Sequence, residues 1–361
     1  MSTGTAPQRY ANIDGLRAIA ALGVMIEHLF GDLLRQNPPA AGPISSLANS
    51  VVQNLSLGRF GVALFFLISG FVVPFSIGGD HPLAHFAVSR IFRLYPACWL
   101  ALAVLATMAC LALEPPSIAT MLANMTMAPN LFGQRWLSPI YWTLFIELAF
   151  YVLVALLFAL GTLRNVAVLS VLSLALIAGT VLPVQLRSHG VANLPVQYIG
   201  IHLSLLFLGL LLRLWLVERI RGAGFSVLAL GMAQLVAVLS ISDFSLARGD
   251  NFIMEGRAPI LTAYALALVV FPVAVRFGYP RSLLLARIGL ISYSMYLFHW
   301  IVNVAVYRFL PLTGQISDIA VMSVCVALTL VVSLLVYRTV ERPMILFGRT
   351  IALRREARSG S

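Results

Sequence analysis

Four ionisable side chains interrupt the first long apolar stretch of the sequence, and their types suit proton transfer and anion binding. They are Asp14, Arg17, Glu27 and His28. An Asp or Arg inside a membrane-spanning helix costs roughly 2.5–3.5 kcal/mol on insertion scales, so such residues are usually paired and functional. A histidine, whose reference pKa is about 6.5, can remove a proton from a hydroxyl near neutral pH. This stretch is therefore the first candidate for a catalytic helix.

The helical repeat places three of these residues on one face of the helix. At about 100° per residue, Asp14, Arg17 and His28 fall within roughly 60° of one another, whereas Glu27 is turned further round. Arg17 and His28 lie eleven residues apart, which is about 16 Å along the helix axis. The spacing allows Arg17 to meet one substrate and His28 another. The structural alternative is an ion pair between Asp14 and Arg17, with His28 bonded to a neighbouring carbonyl.

A second polar face is predicted in the stretch 139–161. Thr143, Glu147 and Tyr151 repeat at four-residue spacing and so share one side of a helix. Trp142 precedes them near the predicted outer interface, where tryptophan also occurs as an ordinary membrane-belt residue. We predict Glu147 as a catalytic residue, with Trp142 and Thr143 as supporting polar residues.

Polar residues also recur at steps of four, three and four in the stretch 286–308. They are Ser292, Tyr296, His299 and Asn303. Such a face can simply join helices by hydrogen bonds. His299 is expected about as deep as the histidine of the first helix, which favours a shared site. We therefore predict His299 as a catalytic residue, with Ser292 and Tyr296 in support.

Arg90 and Arg93 lie one helical turn apart, just before the third apolar stretch. Arginine forks bind phosphates through paired hydrogen bonds, so the pair could hold the phosphates of a nucleotide-containing donor such as acyl-coenzyme A. Arg17 is the third predicted donor-binding residue and is also predicted as a catalytic residue, with Asp14 and Glu27 as supporting polar residues. The alternative is that the pair contacts lipid headgroups and sets the orientation of the protein.

The composition identifies the elements that must position these residues as membrane helices. The 361-residue sequence is 60% hydrophobic and 10% charged, and its mean hydropathy of +0.94 excludes an ordinary water-soluble domain. A spanning helix needs about 20 mostly apolar residues. Stretches of this kind lie near 12–32, 57–77, 94–113, 139–161, 165–183, 195–215, 223–242, 257–276, 286–308 and 317–337. We predict an all-α fold, a polytopic transmembrane helical bundle of about ten spanning helices.

Two longer loops connect these stretches. The first loop, 33–56, contains five turn-forming residues, and the second, 114–138, could hold a re-entrant or interfacial segment. The turn formers are Asn37, Pro38, Pro39, Gly42 and Pro43. Because loops carry specificity over a rigid scaffold, both loops are expected to influence the choice of acceptor.

The arginines predict the orientation of the bundle. With the N-terminus in the cytoplasm, sixteen arginines fall on the inner side and seven on the outer side, with Arg17 counted on neither. This asymmetry follows the positive-inside rule and places both termini in the cytoplasm. The predicted organisation is a short N-terminal tail at 1–11, one integral membrane domain at 12–337 and a basic C-terminal tail at 338–361. We expect a multi-pass protein of the inner (plasma) membrane, whose first helix is retained because no cleavage site follows it.

Several other classes of protein and site are not supported. The arginines fall between apolar runs and not on one solvated face, so no nucleic-acid partner is expected. Cys98, Cys110 and Cys325 have neither disulfide nor metal-ligand spacing, so no metal site is expected. The Gly-x-Ser-x-Gly elbow of soluble hydrolases is also missing from the sequence.

Six motifs resemble, in order, those of the membrane acyltransferase-3 family, whose members O-acylate cell-surface polysaccharides, lipopolysaccharide and some secondary metabolites. The motifs are Ile13-Asp14-Gly15-Leu16-Arg17-Ala18 leading to His28, Phe65-Phe66-Leu67-Ile68-Ser69-Gly70-Phe71, the Arg90 and Arg93 pair, Trp142-Thr143-Leu144-Phe145-Ile146-Glu147, Ser292-Tyr293-Ser294-Met295-Tyr296-Leu297-Phe298-His299 and Glu341-Arg342-Pro343. Each motif is short, but their common order across residues 13–343 makes the resemblance specific.

The resemblance implies a ten-helix transferase that moves an acyl group, usually acetyl, from cytoplasmic acyl-coenzyme A to a hydroxyl on the far side of the membrane. His28 then matches the essential histidine, and Arg17, Arg90 and Arg93 match the required arginines. Acyl-coenzyme A is a donor substrate, so no permanently bound cofactor is expected. Expected partners are membrane lipids and a glycan or glycosylated small-molecule acceptor, such as lipopolysaccharide O-antigen or exopolysaccharide. The sequence leaves a homo-oligomer open, and we expect no appended hydrolase-like domain.

The predicted mechanism uses His28 to remove the proton of the acceptor hydroxyl as it attacks the thioester carbonyl. Asp14 is too far along the helix to orient this histidine directly, so the expected helper is Glu27, Glu147 or His299. Direct transfer and an acyl-histidine intermediate both stay open. The rival function is a secondary transporter of a polar or anionic solute, which would also place charges inside helices. A scaffold protein would leave the buried charges without a purpose.

Overall fold

The computed structural model describes residues 11–36, 41–192, 197–248 and 256–359, and every regular element within these ranges is helical. The helices are α1 (Ala11–Leu34), α2 (Pro43–Asn54), α3 (Leu57–Val72), α4 (Pro82–Leu111), α5 (Ile118–Met125), α6 (Trp142–Ala159), α7 (Val166–Ser188), α8 (Ile199–Leu216), α9 (Ala223–Arg248), α10 (Arg257–Phe277), α11 (Leu283–Leu290), α12 (Ser292–Tyr307), α13 (Asp318–Val336) and α14 (Arg342–Ser359). Most of the predicted N-terminal tail, three predicted turn formers (Asn37, Pro38 and Pro39) and the start of the predicted sixth span lie outside the described residues.

Eight helical segments are long and apolar enough to cross a membrane. They are Leu57–Ser76, α4, α6, α7, α8, α9, α10 and Asp318–Ala352. The bent pair α11 and α12 supplies a ninth span if it is counted as one. The 24 residues of α1 are long enough, but each 18-residue window of α1 holds three Asp, Glu or Arg residues. The prediction of a polytopic helical bundle is confirmed. The α1 helix is long enough to span a membrane but contains more charged residues per 18-residue window than the most apolar windows of the eight segments named above.

Three predicted spans have different limits in the structure. The third begins at Pro82 and not at 94, so Arg90 and Arg93 lie inside a 30-residue helix. The ninth is not continuous, because α11 and α12 meet at an angle of 71°. Helical structure also continues beyond 337, through the π-helical segment Tyr337–Glu341 into α14. Apolar patterning misses these features because the added helical segments contain charged residues, and because a bend at Ile291 leaves no mark in the hydropathy of the sequence.

The two long loops contain helices of their own. Loop 33–56 includes α2, which begins with Pro43 at its first turn. Loop 114–138 includes α5 and a short 3-10 helix, Pro129–Phe132. The second loop therefore contains helical structure, and its re-entrant or interfacial position stays a prediction.

Small residues bring α1 into close contact with its neighbours. A Cβ atom on Gly61 of α3 would collide with the carbonyl of Ala20, and one on Gly289 of α11 would collide with the carbonyl of Asp14. Membrane helices commonly approach each other at such positions, because lipid offers no hydrophobic drive for association and packing must supply it. The chemical face of α1 is thus held tightly between α3 and the α11–α12 bend.

Candidate active site

The predicted histidine pair forms across two helices. His28 of α1 and His299 of α12 approach with 3.0 Å between the His28 Nδ1 and the His299 Nε2, and their ring centroids are 5.0 Å apart. The His299 Nδ1 lies 3.0 Å from the carbonyl oxygen of Met295, to which it can only donate. The proton arrangement that satisfies both contacts therefore has His299 Nε2 accepting from His28 Nδ1–H. It leaves His28 Nε2 without a proton and able to act as a base.

A cavity of about 380 Å³ opens on His28 of this pair, and we call it the histidine cavity. Its charged and aromatic lining residues are Glu27, His28, Arg35, Arg59, Trp142, Tyr296 and Trp300. The Trp300 ring stands edge-on to His28, with centroids 6.1 Å apart. The Arg59 guanidinium lies 5.9 Å from the centre of the Trp142 ring. Two indoles beside a basic imidazole form a surface on which a sugar ring could stack while its hydroxyl reaches the base.

Glu27 is engaged with the start of α3. Its carboxylate accepts hydrogen bonds from the Ser56 hydroxyl at 2.9 Å and from the Leu57 backbone N–H at 3.1 Å. The first N–H groups of a helix lack partners within the helix, so an acceptor from another helix satisfies them. Glu27 therefore anchors α3 to α1, while its side chain still borders the histidine cavity.

A second cavity, of about 190 Å³, lies further toward the Arg17 end of α1, and we call it the middle cavity. Its charged lining residues are Arg17, Arg90, Arg93 and Glu147. The Glu147 carboxylate accepts hydrogen bonds from the Tyr151 hydroxyl at 2.5 Å and from the Ser69 hydroxyl at 3.3 Å. The Arg90 guanidinium lies 5.6 Å from the centre of the Tyr151 ring. Three arginines against one carboxylate make this a cavity for an anionic or strongly polar group.

A third cavity, of about 570 Å³, continues from the middle cavity, and we call it the mouth cavity. Its charged lining residues are Asp14, Arg17, Arg93, Glu341, Arg342 and Arg349. The Arg17 guanidinium and the Asp14 carboxylate form an ion pair at 3.3 Å. Glu341 is buried and accepts a hydrogen bond from the Ser294 hydroxyl at 2.8 Å. Arg17 and Asp14 thus form the ion pair of the structural alternative, on the wall of a cavity.

The three cavities form a series along α1. The mouth and middle cavities share five lining residues, which are Arg17, Val72, Arg93, Ser292 and Tyr293. The middle and histidine cavities share Val62 and Tyr296. The Tyr296 hydroxyl accepts from Thr143 at 2.8 Å and donates to the Ile140 carbonyl at 2.5 Å. Tyr296 is therefore held in place at the boundary between these two cavities.

The sequence-predicted residues divide between the cavities. The structure brings together His28 and His299, but Glu147 lies in the middle cavity among the arginines and is hydrogen-bonded to Tyr151. Thr143 and Ser292 line the middle cavity, and Trp142 lines the histidine cavity. Of the three expected helpers for the catalytic histidine, only His299 contacts it. The catalytic and binding roles of these residues remain predictions.

Some lining residues were not singled out from the sequence. Arg35, Arg59 and Trp300 were missed in the histidine cavity, and Arg349 in the mouth cavity. Glu341 was quoted from the sequence only as part of a motif, without a role in a site. Arg349 carried no signal, because it lies in a basic segment that the sequence does not place near α1. Among the described residues, no group of three or more His, Cys, Asp or Glu side chains is placed to hold a metal ion.

Comparison with known proteins assigns a family to this arrangement. A family model described as an acyltransferase domain matches residues 10–338. A protein of Staphylococcus aureus strain COL, whose name assigns it provisionally to the O-acetyltransferases, is 28% identical over 374 residues, which cover 92% of this chain and 56% of that protein. The O-acetyltransferase OatA of Staphylococcus aureus strain NCTC 8325 / PS 47 is 25% identical over 376 residues, covering 94% of this chain and 57% of OatA.

A shorter similarity extends to a different bacterium. Nodulation protein 10 of Rhizobium leguminosarum bv. viciae is 37% identical over 94 residues, which cover 26% of this chain and 23% of that protein. The chain spans about half the length of the two staphylococcal relatives. No solved structure matches the chain.

Proposed function

Because the chain belongs to the membrane acyltransferase-3 family, we propose that it transfers an acyl group, in most cases acetyl, from acyl-coenzyme A to a hydroxyl of a sugar-containing acceptor. The chain is a multi-pass membrane protein and an acyltransferase, and its relatives are named O-acetyltransferases. The donor, the acceptor and the role of His28 are the proposed part. The observation that carries the proposal is the series of cavities, which leads from six charged side chains to a histidine pair.

The base in this proposal is His28. With its Nδ1–H donated to His299, its Nε2 takes the proton of the acceptor hydroxyl while the hydroxyl oxygen attacks the thioester carbonyl. The carbon–sulfur bond then breaks, and the coenzyme A thiolate leaves and regains a proton from the imidazolium. His299 acts as a positioning residue, because it fixes the tautomer through the Met295 carbonyl. An acyl-histidine intermediate is the alternative route through the same nitrogen.

The donor is proposed to enter from the mouth cavity. Arg17 and Arg93 line both the mouth and the middle cavity, and Arg90 lines the middle cavity. Guanidinium groups recognise phosphate well, because they present several donors in a fixed plane. Acyl-coenzyme A is a cytoplasmic metabolite, so the mouth cavity would face the cytoplasm, in agreement with the arginine asymmetry of the sequence. This orientation corresponds to a protein of the inner (plasma) membrane.

The acceptor is proposed to occupy the histidine cavity. Its volume of about 380 Å³ is twice that of the middle cavity, and the Trp142 and Trp300 rings border it. Sugar rings bind well against such aromatic faces, and a hydroxyl near His28 would be deprotonated there. A glycan such as lipopolysaccharide O-antigen or exopolysaccharide, or a glycosylated small molecule, satisfies these requirements. Family membership favours this reaction over the secondary transporter that the charged helix also allowed.

The experiment uses purified protein in liposomes with radiolabelled acetyl-coenzyme A and a glycan acceptor. Wild-type protein is expected to release coenzyme A and to label the glycan, whereas His28→Ala loses the labelled glycan. His189→Ala is the matched control, because His189 is exposed and lies at the end of α7, outside all three cavities. Full transfer by correctly inserted His28→Ala would refute the assignment of the base. If wild-type protein neither consumed the donor nor labelled any acceptor, the donor would have to be sought elsewhere.

A further inference from the structure

Two arginines of α14 extend the charged lining of the mouth cavity. Arg342 and Arg349 both line it, and both are exposed. They are seven residues apart, so in a helix they stand on nearly the same face, two turns from each other. The sequence places them in a basic C-terminal segment, where their function would be limited to orientation in the membrane. The structure instead turns this face toward Arg17 and Arg93.

The position of α14 is fixed by its contacts and not by the arginines themselves. Glu341 lies in the π-helical segment before α14 and is buried there. Its carboxylate accepts a hydrogen bond from the Ser294 hydroxyl of α12. Further along, the Phe347 and Phe92 rings pack edge to face, with centroids 5.5 Å apart. A Cβ atom on Gly348 would collide with the Phe92 side chain, so α14 approaches α4 closely there. Because α4 also carries Arg93, this packing sets the distance between the arginines of the two helices.

The charges around the mouth cavity do not cancel. Four arginines face two carboxylates, Asp14 and Glu341. Asp14 is paired with Arg17, and Glu341 is buried against Ser294. The positive charge that these two carboxylates leave uncompensated therefore includes the exposed side chains of Arg342 and Arg349. A cavity of about 570 Å³ with this charge distribution attracts a ligand that carries several negative charges.

We infer that Arg342 and Arg349 bind phosphate groups of the nucleotide end of the donor, so that α14 forms part of the donor site. This inference rests on the proposed function. In it, the diphosphate and the ribose phosphate of coenzyme A lie between α14 and α4. The pantetheine arm passes Arg17 and Arg93 into the middle cavity, whose smaller volume of about 190 Å³ suits a thin chain. Phosphates of lipid headgroups share this chemistry, and the experiment separates the two sources.

The test measures coenzyme A binding by calorimetry, with the full chain in nanodiscs made of phosphatidylcholine only and, in parallel, in nanodiscs that also contain anionic lipid. Arg349→Ala is expected to weaken binding about tenfold, the effect of losing one charge-assisted hydrogen bond. Wild-type protein is expected to prefer coenzyme A over dephospho-coenzyme A, which lacks the ribose phosphate, and the double variant Arg342→Ala/Arg349→Ala to lose part of that preference. Arg338→Ala is the matched control, since Arg338 is exposed near the start of α14 and lines none of the three cavities.

The outcomes distinguish the inference from the function on which it rests. If wild-type protein binds coenzyme A but the α14 variants bind it as tightly as Arg338→Ala does, the inference is wrong and the proposed donor survives. If the variants differ from wild type only in nanodiscs that contain anionic lipid, the arginines hold headgroups and the inference is again wrong. If wild-type protein binds no coenzyme A, both the donor and the inference fail. Arg349→Lys, which keeps the charge but not the planar fork, should restore part of the affinity.

Discussion

The histidine cavity and the mouth cavity lie on the same helix but differ in chemistry. The first is lined by the His28 imidazole, two indoles, two arginines and Glu27, and Glu27 is engaged with the start of α3. The second is lined by four arginines and two carboxylates. An imidazole suits proton transfer, whereas guanidinium groups suit phosphate binding. Placing the groups along α1, on either side of the middle cavity, allows one helix to serve both purposes.

This difference predicts that chemistry and donor binding can be lost separately. His28→Ala removes the proposed base and leaves the mouth cavity intact. We expect transfer to fall by about 10²- to 10⁴-fold, the usual contribution of general acid–base catalysis, with unchanged affinity for coenzyme A. Single-turnover transfer and calorimetry on the same preparation measure the two quantities. A parallel loss of donor affinity would mean that the cavities are not independent.

The reverse effect is expected from Arg93→Ala. Arg93 lines the mouth and middle cavities but not the histidine cavity. Coenzyme A should bind about 10- to 100-fold more weakly, because a charge-assisted hydrogen bond contributes about 1.5–3 kcal/mol. Arg93→Lys tests whether charge alone suffices, and Arg338→Ala controls for the loss of a positive charge elsewhere. Unaltered donor affinity in Arg93→Ala would remove this arginine from the donor site.

A smaller effect is expected at the second histidine. His299→Leu removes the acceptor for His28 Nδ1–H, so the catalytic ring loses its fixed tautomer. Transfer should fall about tenfold, in line with one hydrogen bond of about 1–1.5 kcal/mol, and the KM for the donor should stay constant. His299→Gln offers an amide oxygen in a similar place and should recover part of the kcat. Equal kcat values for the two variants would indicate that His299 only fills space.

The smallest effect concerns the boundary between the cavities. Tyr296→Phe removes the hydroxyl that bonds to Thr143 and to the Ile140 carbonyl. A freer ring should let water from the histidine cavity reach the donor, so that hydrolysis without acceptor rises about fivefold. Tyr293→Phe is the matched control, because Tyr293 lines the middle and mouth cavities only. The ratio of free acetate to labelled glycan measures the effect, and an equal rise in both variants would contradict it.

The charged helix and its face followed from the sequence alone. Ionisable residues inside an apolar stretch are visible without a structure, and the helical repeat places Asp14, Arg17 and His28 on one side. The all-helical membrane architecture followed for a similar reason, since long apolar stretches in a bilayer must satisfy their backbone hydrogen bonds internally. Both conclusions depend only on local chain geometry and on the solvent.

Contacts between distant segments were decided by the tertiary structure. His28 and His299 are 271 residues apart. Their similar predicted depth in the membrane did not identify which polar helix faces would be in contact. By its predicted depth, Glu147 was as good a candidate as His299 for contact with His28. The packing of α6 instead places Glu147 beside Tyr151 and the arginines of the middle cavity. The tertiary structure also decided the 71° bend between α11 and α12 and the packing of α14 against α4. Both features position residues that line the cavities. Periodicity fixes the face of a helix, but only the packing of small residues against neighbouring backbones fixes which faces share a cavity.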